Sequence, residues 1–123
     1  MTVNETLERY AGKRQGTAYI PTELMEGRPN AYAAFLSGDC LSPTFNDGDM
    51  VLVDPDREPA PGDYVVMGRD GWQSHAARLV ELGGGCPLLA DGHHPAPYRV
   101  MGETIVGVIV CAVRPDCVIE GVA

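Results

Sequence analysis

The most informative stretch of the sequence reads Ser37-Gly38-Asp39-Cys40-Leu41-Ser42-Pro43-Thr44-Phe45-Asn46-Asp47-Gly48-Asp49-Met50-Val51-Leu52-Val53-Asp54. Its middle, from Asn46 to Asp49, predicts a tight turn, because glycine accepts a positive φ and the side chains of Asn and Asp bond their own backbone. The apolar residues after it, Met50 to Val53, predict a β-strand. A turn that leads directly into a strand is therefore the first element that the sequence indicates.

The rest of the chain repeats this alternation of turns and short apolar runs. It contains 15 glycines and 10 prolines among 123 residues, which favours many short strands over long helices. Further strands are predicted at residues 64–67, 72–82 and 104–113. The last of these is rich in β-branched residues and lacks polar alternation, so we expect it in the core or in an interface. The predicted fold class is mainly β, with short strands joined by hairpins.

The first 30 residues differ from the rest of the chain. Residues 2–10 are interpreted as a short helix with Asn4 as its N-cap, and residues 12–30, interrupted by glycine and proline, as an extended N-terminal arm. We expect a β domain over residues 31–115 and a C-terminal tail over residues 116–123.

The balance of charged residues excludes some classes of function. The chain has 17 acidic and 9 basic side chains, a formal net charge of -8, and Lys13 is its only lysine. A free-standing nucleic-acid binder usually has a basic footprint, so we expect no direct nucleic-acid partner. No apolar run approaches the length of a membrane span, and residues 1–13 contain no apolar signal region. We therefore expect a cytoplasmic protein without a membrane partner, whose four cysteines are reduced.

Several segments, taken in order, resemble the LexA-like self-cleaving family, peptidase family S24. The stretch from Ser37 to Asp54 resembles the family's S-G-D-S-M-x-P and G-D-x-V-L-V-D motifs. Three later segments occur in the family's order over two-thirds of the chain: a G-D-x-V strand at residues 62–65, a V-K-R-L-like segment at 76–79, and an I-x-G-x-V strand at 105–109.

The resemblance implies a LexA C-terminal-like β domain, homodimerisation and a Ser-Lys dyad that cuts the chain's own N-terminal arm. Both dyad positions are substituted here, since the nucleophile position falls on Cys40 and the base position falls on Ala77. A thiol can attack a carbonyl only as the thiolate, which needs a nearby base or cation, and a methyl group accepts no proton. The dimer interface is predicted to lie on the last strand, at Ile105, Val106, Val108, Ile109 and Val110.

Two further features bear on self-cleavage. His75 lies two residues before Ala77, so the two side chains share a face of a strand and His75 is a candidate substitute base for Cys40. Ala11-Gly12 has the form of the family's cleavage site, although a helix that ends at a glycine explains the pair equally well.

We expect no metal site and no cofactor. The aspartates between residues 39 and 56 do not have the spacing of a calcium-binding loop, and turn or strand-end roles explain most of them. His93-His94 together with Cys86 and Cys111 lacks the paired ligand spacing of a zinc site, so the histidines are interpreted as part of a solvated loop.

These observations leave three candidate functions. The first is a non-catalytic dimerisation and protein-interaction module in a phage-repressor or SOS-type regulatory system, without a DNA-reading domain of its own. Its partner would be a repressor, a polymerase subunit or a recombinase filament. The second is a UmuD-like accessory factor of a translesion polymerase. The third is a self-cleaving protease that uses Cys40 and His75.

Overall fold

The computed structural model describes residues 2–5, 14–15, 18–19, 26–71, 73–84, 86–114 and 117–120, with side chains for residues 26–71, 73–84 and 86–112. Within this part of the chain the regular structure is entirely β, which confirms the predicted fold class. The strands are β1 Thr2–Glu5, β2 Arg14–Gln15, β3 Ala18–Tyr19, β4 Tyr32–Ser37, β5 Met50–Asp54, β6 Tyr64–Gly68, β7 His75–Glu81, β8 Leu88–Ala90, β9 Tyr98–Arg99, β10 Thr104–Arg114 and β11 Cys117–Glu120.

The main sheet closes on itself. Its strand order is β1-β4-β5-β10-β6-β7-β8-β9, with β11 paired to β10, and every pairing is antiparallel. β1 pairs with β4 along four residues and also meets β7 through Thr2 and His75. The six strands β1, β4, β5, β10, β6 and β7 therefore form a closed circuit. The β2–β3 pair forms a small separate sheet.

Three groups of buried side chains fill the two faces of this sheet. The Cys40 cluster draws on β4, β5, β6, β7 and β10 and contains Ala34, Leu36, Cys40, Leu41, Phe45, Val51, Val53, Val66, Ala76, Ile109 and Ala112. The Ala77 cluster lies on the opposite face of β6 and β7 and contains Val65, Met67, Ala77, Leu79, Leu89 and Val108. The third cluster lies on the other face of β4 and β5 and contains Ala31, Ala33, Met50, Leu52, Val110 and Cys111.

Two Gly-Asp turns of the same construction lead into β5 and β6. In the first, Gly48 has a φ of 87°, and the carboxylate of Asp49 accepts a 2.8 Å hydrogen bond from the amide of Asn46. In the second, Gly62 has a φ of 97°, and the carboxylate of Asp63 accepts a 2.9 Å hydrogen bond from the amide of Ala60. Each aspartate also donates its own amide back to the carbonyl three residues earlier. The turn at Asn46 to Asp49 is therefore confirmed, and Gly62 and Asp63 form a second turn of the same kind.

A third glycine allows β10 to pack against β5. The register of β10 with β6 shifts between Ile105 and Gly107, which marks a bulge. A β-carbon on Gly107 would lie 2.5 Å from the Cγ1 atom of Val53. Only a residue without a side chain fits this position unless Val53 moves.

The prediction of an N-terminal helix over residues 2–10 is wrong for the first part of that range. Thr2–Glu5 forms strand β1 and pairs with β4, so the hydrogen bonds of these residues go to the sheet and not to a helical turn. Residues 6–10 lie outside the described part of the chain. Among the residues described, no helix has the length and apolarity that crossing a membrane requires.

Candidate functional site

Cys40 lies in the turn segment after β4. Its side chain is buried, with a relative exposure of 4%, and it packs within the Cys40 cluster. Gly92, from the loop between β8 and β9, donates its amide to the carbonyl oxygen of Cys40. A β-carbon on Gly92 would lie 2.8 Å from that oxygen, so the close approach of the two segments depends on a glycine. A loop distant in sequence is thus held against the backbone of Cys40.

A small cavity of about 240 Å³ opens beside Cys40. Strand pairing places Tyr64 of β6 opposite Arg78 of β7, and both line this cavity. The ring of Tyr64 packs edge-on against buried Phe45, with centroids 4.9 Å apart, which fixes one wall. Its other lining residues are Leu41, Ser42, Thr44, Ala90, Asp91 and Gly92.

Ala77, at the predicted base position, belongs to a different part of the core. It is fully buried in the Ala77 cluster, among Val65 and Leu79. The residues before and after it in β7 face the other way: Ala76 belongs to the Cys40 cluster, and Arg78 lines the cavity. Because side chains alternate along a strand, Ala77 faces away from the side of β7 that meets Cys40. The structure does not bring the two predicted dyad positions into one cluster.

His75, the predicted substitute base, is held by another residue. Its Nε2 atom lies 2.8 Å from Oε2 of Glu103, the residue before β10. By strand alternation His75 shares the face of Ala77, as the sequence predicted. That face is opposite the one carrying Ala76, which packs with Cys40.

The loop that covers Cys40 is organised by Asp91. Its carboxylate accepts hydrogen bonds from the Tyr98 hydroxyl at 2.7 Å and from the His93 amide at 2.9 Å, and it lies 2.8 Å from Nδ1 of His94. Burial raises the pKa of Asp91, but the hydrogen bonds from His94, Tyr98 and His93 outweigh it and bring the pKa to about 2. Burial, followed by the bond to Asp91, raises the pKa of Tyr98 well above its ordinary value.

The two histidines of this loop have specific partners. His93 Nε2 lies 2.6 Å from Oδ1 of Asp39, the residue before Cys40, and the ring of His94 stacks on Tyr98 at 4.0 Å. The sequence interpretation of a solvated loop missed this arrangement. The only local signal was Asp91 two residues before His93, the spacing of a side-chain-to-backbone turn. Within the described residues, no three His, Cys, Asp or Glu side chains gather as metal ligands.

The predicted interface residues of β10 differ in how far their side chains are exposed. Val108, Ile109 and Val110 are buried by the chain's own core, whereas Ile105 is half-buried and Val106 is 36% exposed. Of the five predicted interface residues, Ile105 and Val106 are therefore the ones whose side chains are accessible to a partner. The cleavage-site candidates Ala11 and Gly12 lie outside the described residues.

Comparison with known proteins identifies the fold just described. The model of the Peptidase S24-like family matches residues 3–110. Repressor protein C of Rhizobium phage 16-3 is 42% identical over 43 residues, which are 35% of this chain and 16% of that repressor. The match thus spans less than a fifth of the repressor's length. Because the family model covers most of the chain, including the Cys40 turn and the strands around it, the chain belongs to the peptidase S24-like family.

Proposed function

We propose that this chain is a non-catalytic S24-like dimerisation and protein-interaction module of a phage-repressor or SOS-type regulatory system. The observation that carries the proposal is the identity and placement of Ala77. The predicted base position holds a methyl group, fully buried among apolar side chains, and it faces away from the Cys40 cluster. A methyl group cannot accept the proton of a nucleophile, so residue 77 cannot act as the base.

The surroundings of Cys40 support the same conclusion. A reactive cysteine is partly exposed in an electropositive environment. The side chain of Cys40 is buried in an apolar cluster, and the cavity beside it is lined by an acidic residue, Asp91, as well as by Arg78. The nearest candidate base that the sequence offered, His75, is occupied by Glu103. These contacts favour the module over a protease that pairs Cys40 with His75.

The regulatory part of the proposal is supported by the similarity to a phage protein named a repressor. The net charge of -8 favours protein partners over nucleic acid for the residues present here. We therefore propose a repressor, a polymerase subunit or a recombinase filament as the class of partner, and a second copy of the chain for the dimer.

The catalytic question is tested by the mass of the intact chain. The purified protein is incubated at raised pH, with and without activated recombinase filaments, and then weighed by mass spectrometry. We expect the chain to stay intact in both conditions. A cut after Ala11 that disappears in Cys40→Ala would contradict the proposal, and Cys86→Ala is the matched control for loss of a thiol elsewhere.

Dimerisation is tested separately by analytical ultracentrifugation over a wide concentration range. We expect a dimer whose population rises with concentration. A monomer at the highest concentration would refute the dimerisation part and leave the non-catalytic part standing.

A further inference from the structure

The strand β1 occupies a position unlike that of any other strand in the closed circuit. It pairs with β4 from Thr2↔Ser37 to Glu5↔Ala34, and among the described residues it meets β7 at Thr2↔His75. Each other junction of the circuit joins strands along at least four paired positions. Within the described part of the chain, the junction between β1 and β7 is therefore the shortest one in the circuit.

Removal of β1 would leave a slot with two strand edges. β4 would lose its outer partner along Ala34 to Ser37, and β7 would lose its partner at His75. The β4 edge belongs to a strand whose Ala34 and Leu36 are buried in the Cys40 cluster, so this edge is part of the folded core. An unpaired edge of this kind pairs readily with any strand of suitable register.

The connection from β1 to β4 is long enough for β1 to reach another molecule. Residues 6–31 separate Glu5 from Tyr32, and these 26 residues span up to about 85 Å when extended. Even with the short β2–β3 pair retained, the remaining residues exceed the width of a domain of this size.

A second copy of this chain is the partner that fits the slot best. Its residues 2–5 carry the register that β4 already accepts, so exchange re-forms the same backbone hydrogen bonds without a new interface. Each copy has a net charge of -8, which disfavours docking of one acidic surface on another. Backbone pairing within a strand slot does not depend on that surface charge.

We propose that β1 is an exchangeable strand: in the dimer, Thr2–Glu5 of each copy pairs with β4 of the other copy and closes the other copy's circuit at His75. This inference rests on the dimerisation part of the proposed function and specifies how the dimer is held. Because exchange preserves every pairing, the balance between monomer and exchanged dimer is set mainly by concentration.

The experiment uses a disulfide that only exchange can form between copies. One copy carries Thr2→Cys and is labelled with ¹⁵N, and the other carries Ser37→Cys and is unlabelled. The two are mixed, unfolded in urea, refolded together and oxidised. Facing residues of an antiparallel pair have the spacing that a disulfide needs. Peptide mass spectrometry after digestion then measures the disulfide between position 2 of the labelled copy and position 37 of the unlabelled copy. The masses of the two peptides distinguish this disulfide from any that involves a native cysteine.

The matched control replaces Ser37→Cys with Glu58→Cys, an exposed position in the connection between β5 and β6. We expect the cross-copy 2–37 disulfide at roughly tenfold or more above this control, because strand pairing holds the two thiols at a high effective concentration. A single chain with both Thr2→Cys and Ser37→Cys reports the unexchanged pairing through an intrachain disulfide.

The outcomes separate the two proposals. A dimer by ultracentrifugation with cross-copy disulfide no higher than the control, and with the intrachain disulfide in the double variant, overturns strand exchange and leaves dimerisation standing. A monomer that forms only the intrachain disulfide overturns both.

Discussion

The backbone amide of Gly92 donates a hydrogen bond to the carbonyl oxygen of Cys40, and a β-carbon on Gly92 would lie 2.8 Å from the same oxygen. This contact joins the loop after β8 to the turn after β4, two segments about fifty residues apart in the sequence. It determines how closely the loop approaches the backbone of Cys40, and it makes the loop a direct part of the Cys40 surroundings.

We expect Gly92→Ala to destabilise the protein by about 1–3 kcal/mol, because the added methyl must push the loop away from a backbone atom that has little freedom to move. The free energy of unfolding in urea measures this change. Gly84→Ala is the matched control, since a β-carbon there meets nothing within 4 Å. Equal effects of the two substitutions would contradict the close approach at Gly92.

Asp91→Asn tests the hydrogen-bond network that holds the same loop. The pKa of Asp91 is lowered from 3.8 to about 2, so the ionised carboxylate stabilises the fold above pH 3.8, and this contribution is lost as the pH falls toward 2. We expect the variant to be less stable than the wild type by about 1–3 kcal/mol at neutral pH. The difference should shrink as the pH falls through this window.

Urea unfolding at a series of pH values measures that difference. Asp70→Asn, at an exposed turn position, is the control for removing a carboxylate elsewhere. A difference between wild type and Asp91→Asn that stays constant from neutral pH to pH 3 would show that the charge of Asp91 is not the cause.

Ala77→Lys restores the residue type of the family's base position, and we expect it to disrupt the fold. The position is fully buried in the Ala77 cluster, so a lysine there brings an uncompensated charge into an apolar environment at a cost of about 3–5 kcal/mol. Arg78→Lys, one residue further along the strand and exposed, should change stability by less than about 0.5 kcal/mol. Thermal unfolding of the two variants compares them directly, and equal stability would mean that position 77 is open to solvent.

His75→Ala should leave the reactivity of Cys40 unchanged, because His75 is bound to Glu103 and lies on the face of β7 opposite the one that packs with Cys40. The measurement is the rate of Cys40 alkylation as a function of pH, with the modified peptide identified by mass spectrometry. Glu103→Gln, which removes the partner of His75, is the companion variant. Loss of a reactive phase near neutral pH in His75→Ala alone would instead support a Cys40–His75 pair.

Much of the fold could be predicted from local sequence patterns. Asn46 to Asp49 forms the predicted turn, and Met50–Asp54 forms the strand after it, because glycine conformation and apolar runs act over a few residues. The strand at Thr2–Glu5 could not be predicted in this way. Its partner β4 lies some thirty residues away, and the pairing replaced the local helical tendency of the segment.

The candidate site was predicted only in part. The sequence shows that Cys40 follows a strand and that His75 and Ala77 share one face of β7. Both features depend only on nearby residues. The contacts that join this loop to Asp39 and Cys40 are long-range, and no periodic pattern in the loop indicates which turn it will contact. The separation of Ala77 from the Cys40 cluster likewise depends on which face of β7 turns toward β4, a property of the closed sheet.

Gly107 has a consequence for recognising this domain shape in other sequences. A single added methyl at this position would meet Val53, so β10 packs on β5 here only if position 107 has no side chain or Val53 moves. This requirement comes from the strand packing alone and does not depend on which residues stand at positions 40 and 77. A sequence pattern meant to detect the shape should therefore be built on Gly107 and the two Gly-Asp turns, and a pattern meant to detect peptidase chemistry on other positions.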